Sequence, residues 1–291
     1  MPRRVNSSRA DNGPANALPI WRAHLSAMLA GPIELPMLSP AAAAIAAMAA
    51  DPDSNTSLLA QHVQRDPAIA ASVLRVANSA AYAPSVPIVS LQQAISWLGM
   101  GEIQSIAIAV WVRGQIFAVQ GQEKLLTTMW HEAAATACWA REVARMGRTS
   151  VELAHLCGLL HRIGRPVVLR WLTQIGASER TRLTAPERSH LITEFEQRAG
   201  LALATNWALP EPVLTAIGKQ DDENYDGEWR LQLRQVRLAE ILAARMLEQT
   251  LDAADGERLA RALDALNIYP DQLEALEART DAVQSALSAL T

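Results

Sequence analysis

His161 sits at the end of an apolar run in LCGLLHRIGRPVVL, residues 156–169, and Gly164 follows three positions later. An imidazole in apolar surroundings is a common ligand for first-row divalent metals, and carboxylates beside it would complete a hydrolytic centre. Arg162, the next residue, opposes that chemistry. A guanidinium does not deprotonate at usable pH. At about 4 Å from a divalent cation, with an effective dielectric near 20, it is repelled by roughly 8 kcal/mol. The pair therefore poses a choice between a metal pocket and a pocket that carries its own fixed cation.

Other chemistries find less support. His155 and His161 are six residues apart and share no helical face, so they form no zinc pair, and His24, His62 and His190 read as surface or satisfied side chains. No G-x-S-x-G elbow occurs. Cys138 and Cys157 lie far apart, lack a basic or helix-start context, and read as small core residues. The Gly99-Met100-Gly101 step lacks the lysine and the preceding strand of a phosphate loop.

The elements that must position His161 are helical. Alanine and leucine dominate the 291 residues, half of the chain is hydrophobic, and aromatics amount to 4%. That composition favours an all-α fold with a sizeable core. Ser39 before Pro40, Thr56 or Ser57, Asp66 before Pro67, and Ser90 read as helix starts, and Gly99 to Gly101 separates two helices. Further helices are read through TTMWHEAAATACWAREVARMG, VELAHLCGLLHRIG, RPVVLRWLTQI, the stretch ending NWALP, PEPVLTAIGKQ and EWRLQLRQVRLAEILAARMLEQ, then near 256–267 and 270–289. Residues 1–18 read as a disordered tail, 19–245 as a compact multi-helix domain and 246–291 as a C-terminal helical extension.

A net charge of −4 and a pI near 5.9 give no pull toward nucleic acid. No stretch is long and apolar enough to span a bilayer, and Arg22 and His24 interrupt what would be a signal-peptide core, so a cytoplasmic location is expected. Trp97, Trp111, Trp130, Trp139, Trp171 and Trp207 read as core anchors, and any exposed one would mark a contact surface.

Several segments together resemble the HDOD family, output domains related to the HD and HD-GYP metal-dependent phosphohydrolases. They are LPMLSP, VQRDPAIAASVLRVANSAAY, VSLQQAISWLGMGEIQSIAIA, WHEAAATACWARE, GLLHRIG and NWALPEPVLTAI, in order over roughly residues 28–245. The resemblance implies an all-α HD-like fold and a site assembled from residues distant in the chain. His131 and His161 match two metal-ligand positions of the catalytic relatives. Arg162 replaces the Asp of the His-Asp pair, Glu196 replaces a His, Lys219 and Gln220 replace paired histidines, and Glu240 stands for the late Asp. The DENYDGEW segment keeps Tyr225, Asp226 and Gly227 but lacks the Gly-Tyr-Pro signature.

This pattern leads to a non-catalytic regulatory module with neither metal nor cofactor, in which Arg162 bonds Glu240, Glu196 or both. Two other readings stay open. One is a residual phosphohydrolase holding a single metal through His131, His161, Glu196 and Glu240. The other is a receptor that binds an anion through Arg162 and Lys219. The partners implied by the resemblance are signalling proteins such as cyclic-di-GMP enzymes, receivers or kinases. Leu259, Leu263, Leu266 and Leu273 form a stripe that either packs on its own domain or makes a homodimer surface.

Overall fold

The computed structural model describes residues 17–31, 40–49, 56–249 and 253–290, and among them the chain forms fifteen helices and no strand. An N-terminal group comprises α1 (Ala17–Ala30), α2 (Pro40–Ala49), α3 (Thr56–Gln64), α4 (Pro67–Ala77), α5 (Leu91–Leu98) and α6 (Met100–Gln115). A second group comprises α7 (Glu123–Met146), α8 (Val151–Leu160), α9 (Gly164–Glu179), α10 (Ala185–Asn206), α11 (Glu211–Gly218) and α12 (Arg230–Met246). The C-terminal residues add α13 (Ala253–Ala265), α14 (Pro270–Glu277) and α15 (Thr280–Leu290). The Ser39 cap lies outside the described residues, as does the expected tail apart from Ala17 and Leu18, which open α1.

Local chemistry sets the helix ends. The Asp66 carboxylate accepts from the backbone N–H groups of Ala68 and Ile69 at 3.0 and 3.2 Å, and Pro67 presets the first turn of α4. The Ser90 hydroxyl accepts from Gln93 at 3.2 Å to start α5. Gly99, at φ 83°, then turns the chain through 111° into α6, a conformation that a Cβ would disfavour. No single helix among the described residues is long and apolar enough to cross a membrane. The bent α5–α6 pair reaches the necessary length and composition only together, and α6 buries Ile103, Ile106 and Ile108 inside the fold.

The 24-residue α7 is the central helix and packs against α8, α12 and α15. Its alanines allow close approach, while the nearly inaccessible Trp130 and Trp139 fill the space around them. The two helical groups are tied together by a buried ion pair. Arg141 on α7 donates to Glu102 on α6 at 2.5 Å and also to the Tyr82 hydroxyl.

The C-terminal helices pack on the same core. The helix expected over 270–289 is broken at Ala278–Arg279, although no glycine or proline marks the break. The turn lets α15 reach α7 and α4 and bury Val283, Leu287 and Leu290, so tertiary burial overrides local helix continuity. Leu259, Leu263, Leu266 and Leu273 are half-buried against the core, which leaves this stripe packed on its own chain.

His155 on α8 is fully buried beside the Ala137 backbone. Burial, reinforced by the Arg141 charge, pushes its pKa down from 6.5 to about 3. Because the folded state resists a proton that the unfolded chain accepts, stability is lost as pH falls below 6.5. Between pH 6.5 and 4.5 this loss should amount to about 2 kcal/mol. Urea titrations across that range should show His155→Leu with a flatter pH dependence, and parallel slopes would refute the assignment.

Candidate functional site

The His161 region lies where the end of α8, the start of α9, α10 and α12 meet. His161 itself is 3% exposed. Its Nδ1–H donates to the Gly158 carbonyl at 2.7 Å, and its Nε2 lies 3.6 Å from Glu240 Oε1.

Arg162 is held at both ends of its guanidinium fork. Its Nε donates to Glu240 at 2.6 Å and its Nη1 to Glu196 at 2.7 Å. Arg165, one turn into α9, donates through Nε to the other Glu196 oxygen at 2.6 Å and lies 3.6 Å from Glu132. Gln220 adds a third donor to Glu196 at 3.2 Å. Its position is fixed by Arg237, which donates to the backbone carbonyls of Lys219, Gln220 and Asp222. A carboxylate as buried as Glu196 requires such pairing.

The electrostatics follow from these contacts. Burial pushes the Glu240 carboxyl up, but His161 and Arg162 outweigh it and hold the group well below the usual carboxylate range. Burial also works against the Arg162 charge, yet Glu240 and Glu196 more than compensate and raise its already high pKa. The charges stabilise one another as a network.

Two candidate residues fall outside it. His131 is half-buried and donates Nδ1–H to the Thr127 carbonyl at 2.9 Å, within its own helix. The α7 stripe facing the adjacent cavity consists of Met129, Glu132, Ala133 and Thr136. Helical periodicity therefore turns His131 away from the cavity. Lys219 carries its ammonium to the surface, 3.6 Å from Asp222 and near the Tyr225 ring. Only its carbonyl serves the site. Thus His161, Arg162, Glu196, Gln220 and Glu240 are brought together, whereas His131 and Lys219 are not.

The cavity beside the network measures about 260 Å³, and Phe117, Pro166, Ile241 and Leu247 supply its apolar wall. Glu132, Arg165, Asp255 and Arg258 also line it, and the sequence alone marks none of these four as a site residue. Arg258 on α13 lies 3.2 Å from Asp255 and 3.9 Å from Glu240. Gln249 reaches Glu132 at 3.0 Å. Residues beyond 245 therefore help build the cavity.

The residues do not fit a divalent metal. Of the four oxygens of Glu196 and Glu240, three already accept from Arg162, Arg165 or Gln220, and the fourth, Glu240 Oε2, lies 3.9 Å from the Arg258 guanidinium. Among the described residues no three His, Cys, Asp or Glu side chains are grouped to hold a metal ion. An anion fares no better at Arg162, whose fork is engaged by two carboxylates.

The sequence pattern of the HDOD domain matches residues 35–223, well over half of the chain. The chain belongs to the HDOD family. Glu240 and the helices after it lie beyond the matched range, but solved structures extend the likeness. An HDOD domain protein of unknown function from Geobacter sulfurreducens aligns over 94% of this chain and 99% of its own, with TM-score 0.66 and 19% identity. A Shewanella amazonensis SB2B protein, provisionally named a metal-dependent phosphohydrolase, aligns over 92% and 100%, with TM-score 0.74 and 21% identity. A Marinobacter aquaeolei VT8 protein, provisionally named a signal transduction protein, aligns over 94% of this chain and 66% of its own, with TM-score 0.65 and 22% identity. At these identities the likeness establishes a shared fold. An uncharacterised protein of Treponema pallidum (strain Nichols) is 27% identical over 178 residues, which span 57% of this chain and only 34% of that relative.

Proposed function

We propose that this HDOD protein is a non-catalytic regulatory module of signal transduction, in which an internal guanidinium replaces the metal of its hydrolytic relatives. The observation that carries this reading is Arg162 bonded at 2.6 and 2.7 Å to the two carboxylates that would otherwise serve as ligands. A metal-dependent hydrolytic site must deliver a metal-activated water, and Arg162 here holds a fixed positive charge against the carboxylates that a metal would need. Such a network is suited to fixing the relative placement of α8, α9, α10 and α12, and thereby the surfaces those helices present. Output then proceeds through contacts with signalling proteins, of which cyclic-di-GMP enzymes, receivers and kinases are the expected classes. The exposed apolar side chains of Val86, Val89 and Trp97 support a role in contacts, since Trp97 leaves about half of its surface open.

The test is elemental analysis after incubation with manganese, iron, nickel or zinc followed by desalting. Retained metal should stay far below one equivalent for each ion. Near-stoichiometric metal that disappears in His161→Ala would restore the phosphohydrolase reading.

A further inference from the structure

The charged cavity beside His161 is locally balanced, because Arg162, Arg165 and Arg258 each face a carboxylate. A second concavity is not balanced. It lies between α1, the α6–α7 connection, α9 and the turn into α10, and measures about 490 Å³, within the range of small-molecule sites. Arg182 and Arg188 both line it, and no acidic residue is among its lining residues. Neither guanidinium makes an ion pair or hydrogen bond among the described residues, a state shared by Arg65, Arg148 and Arg180, but Arg182 and Arg188 line one concavity.

The neighbouring acidic groups are committed elsewhere. Glu187 on α10 accepts from the Thr184 hydroxyl and backbone N–H at 2.6 and 2.8 Å in a capping box. Glu179 at the end of α9 lies 3.2 Å from His24. Glu123 accepts from the Gly121 N–H at 2.8 Å. Two guanidiniums without a carboxylate in direct contact thus share one concavity. The walls are amphipathic, with Trp21, Leu169 and Leu172 beside Gln122 and Thr173 among the lining residues.

Guanidinium forks match the oxygens of phosphate in geometry and charge. We propose that this groove is a binding site for a phosphorylated small molecule, with its phosphate between Arg182 and Arg188 and its less polar part against Leu172 and Trp21. The site is separate from the Arg162 network and gives the domain a means of sensing a soluble metabolite.

The test uses pyrophosphate as probe, titrated at constant ionic strength against chloride and followed by calorimetry and thermal unfolding. Pyrophosphate should bind saturably and raise the melting temperature of the full chain. Arg182→Ala and Arg188→Ala should each weaken binding by roughly tenfold or more, while Lys219→Ala, which alters an exposed cation outside the groove, should not. Both arginines are at least partly exposed, so the melting temperatures without pyrophosphate should stay near wild type and verify folding. No saturable binding at millimolar pyrophosphate would overturn the proposal. Equal binding by the Arg182→Ala/Arg188→Ala double variant, or binding to heparin alone, would overturn it as well.

Discussion

Arg162→Ala should lower the free energy of unfolding by about 3 kcal/mol near neutral pH, because removing one partner from a buried ion pair leaves the other charge uncompensated. Glu196 is 4% and Glu240 25% exposed at the side chain, so water cannot replace the lost guanidinium well. The loss stays at the lower end of the range for buried pairs because Arg165 still holds Glu196 and Arg258 remains 3.9 Å from Glu240. The pH dependence separates this cause from simple loss of packing. In the wild type, the depressed Glu240 pKa contributes stability that is full above 4.5 and is lost as pH falls through the folded value. In the variant, that carboxyl titrates at higher pH, and its protonation relieves the uncompensated charge. Urea midpoints of the two proteins should therefore be far apart at pH 7 and approach each other toward pH 4. A gap that does not change with pH would assign the loss to packing. Arg162→Asp extends the argument, since it adds a third carboxylate to Glu196 and Glu240, the latter 3.6 Å from His161 Nε2. Its melting temperature should rise on addition of manganese or zinc, while the wild type stays unchanged.

The sequence spoke most clearly where local chemistry is decisive. Asp66-Pro67 and Ser90 start helices in the structure because a side-chain oxygen three residues from an orphan N–H needs no tertiary partner. The break at Ala278 was illegible for the opposite reason, since it arises from the burial of Val283 and Leu290 against distant helices. At the site, the charge swap was readable: an arginine where an aspartate is expected, with glutamates at two other ligand positions, predicts a bond that the geometry contains. Arg165, Glu132 and Arg258 were not readable, because they belong to no motif of the hydrolytic relatives and meet the network only through the fold. His131 illustrates the reverse case. It stands in a recognisable motif, yet the cavity receives the face of α7 formed by Met129, Glu132, Ala133 and Thr136.

The same dependence on helix placement makes Gly164→Ala the most damaging small substitution expected in this chain. Gly164 opens α9 against the backbone of α10, and a Cβ there would lie 1.7 Å from the Glu196 carbonyl oxygen and 2.8 Å from the Gly200 nitrogen. Every one of these neighbours is backbone, so no rotamer change can relieve the overlap. The two helices would have to separate by more than an ångström, which would also stretch the 2.7 and 2.6 Å bonds that Arg162 and Arg165 make to Glu196. Overpacking alone costs about 1–3 kcal/mol, and strain on the ion network adds to it, so a loss on the order of 4 kcal/mol is expected by urea denaturation. Gly114→Ala provides the contrast. Gly114 lies in α6 with open space for 4 Å around the point a Cβ would occupy, and the substitution should gain about 0.5 kcal/mol from helix propensity. If Gly164→Ala unfolds with the wild-type midpoint, the α9–α10 contact is looser than described, and the arginine network cannot be what fixes these helices. If the loss appears and is smaller when Arg162→Ala is already present, the two substitutions act through one contact, and the network and the glycine junction are a single structural unit.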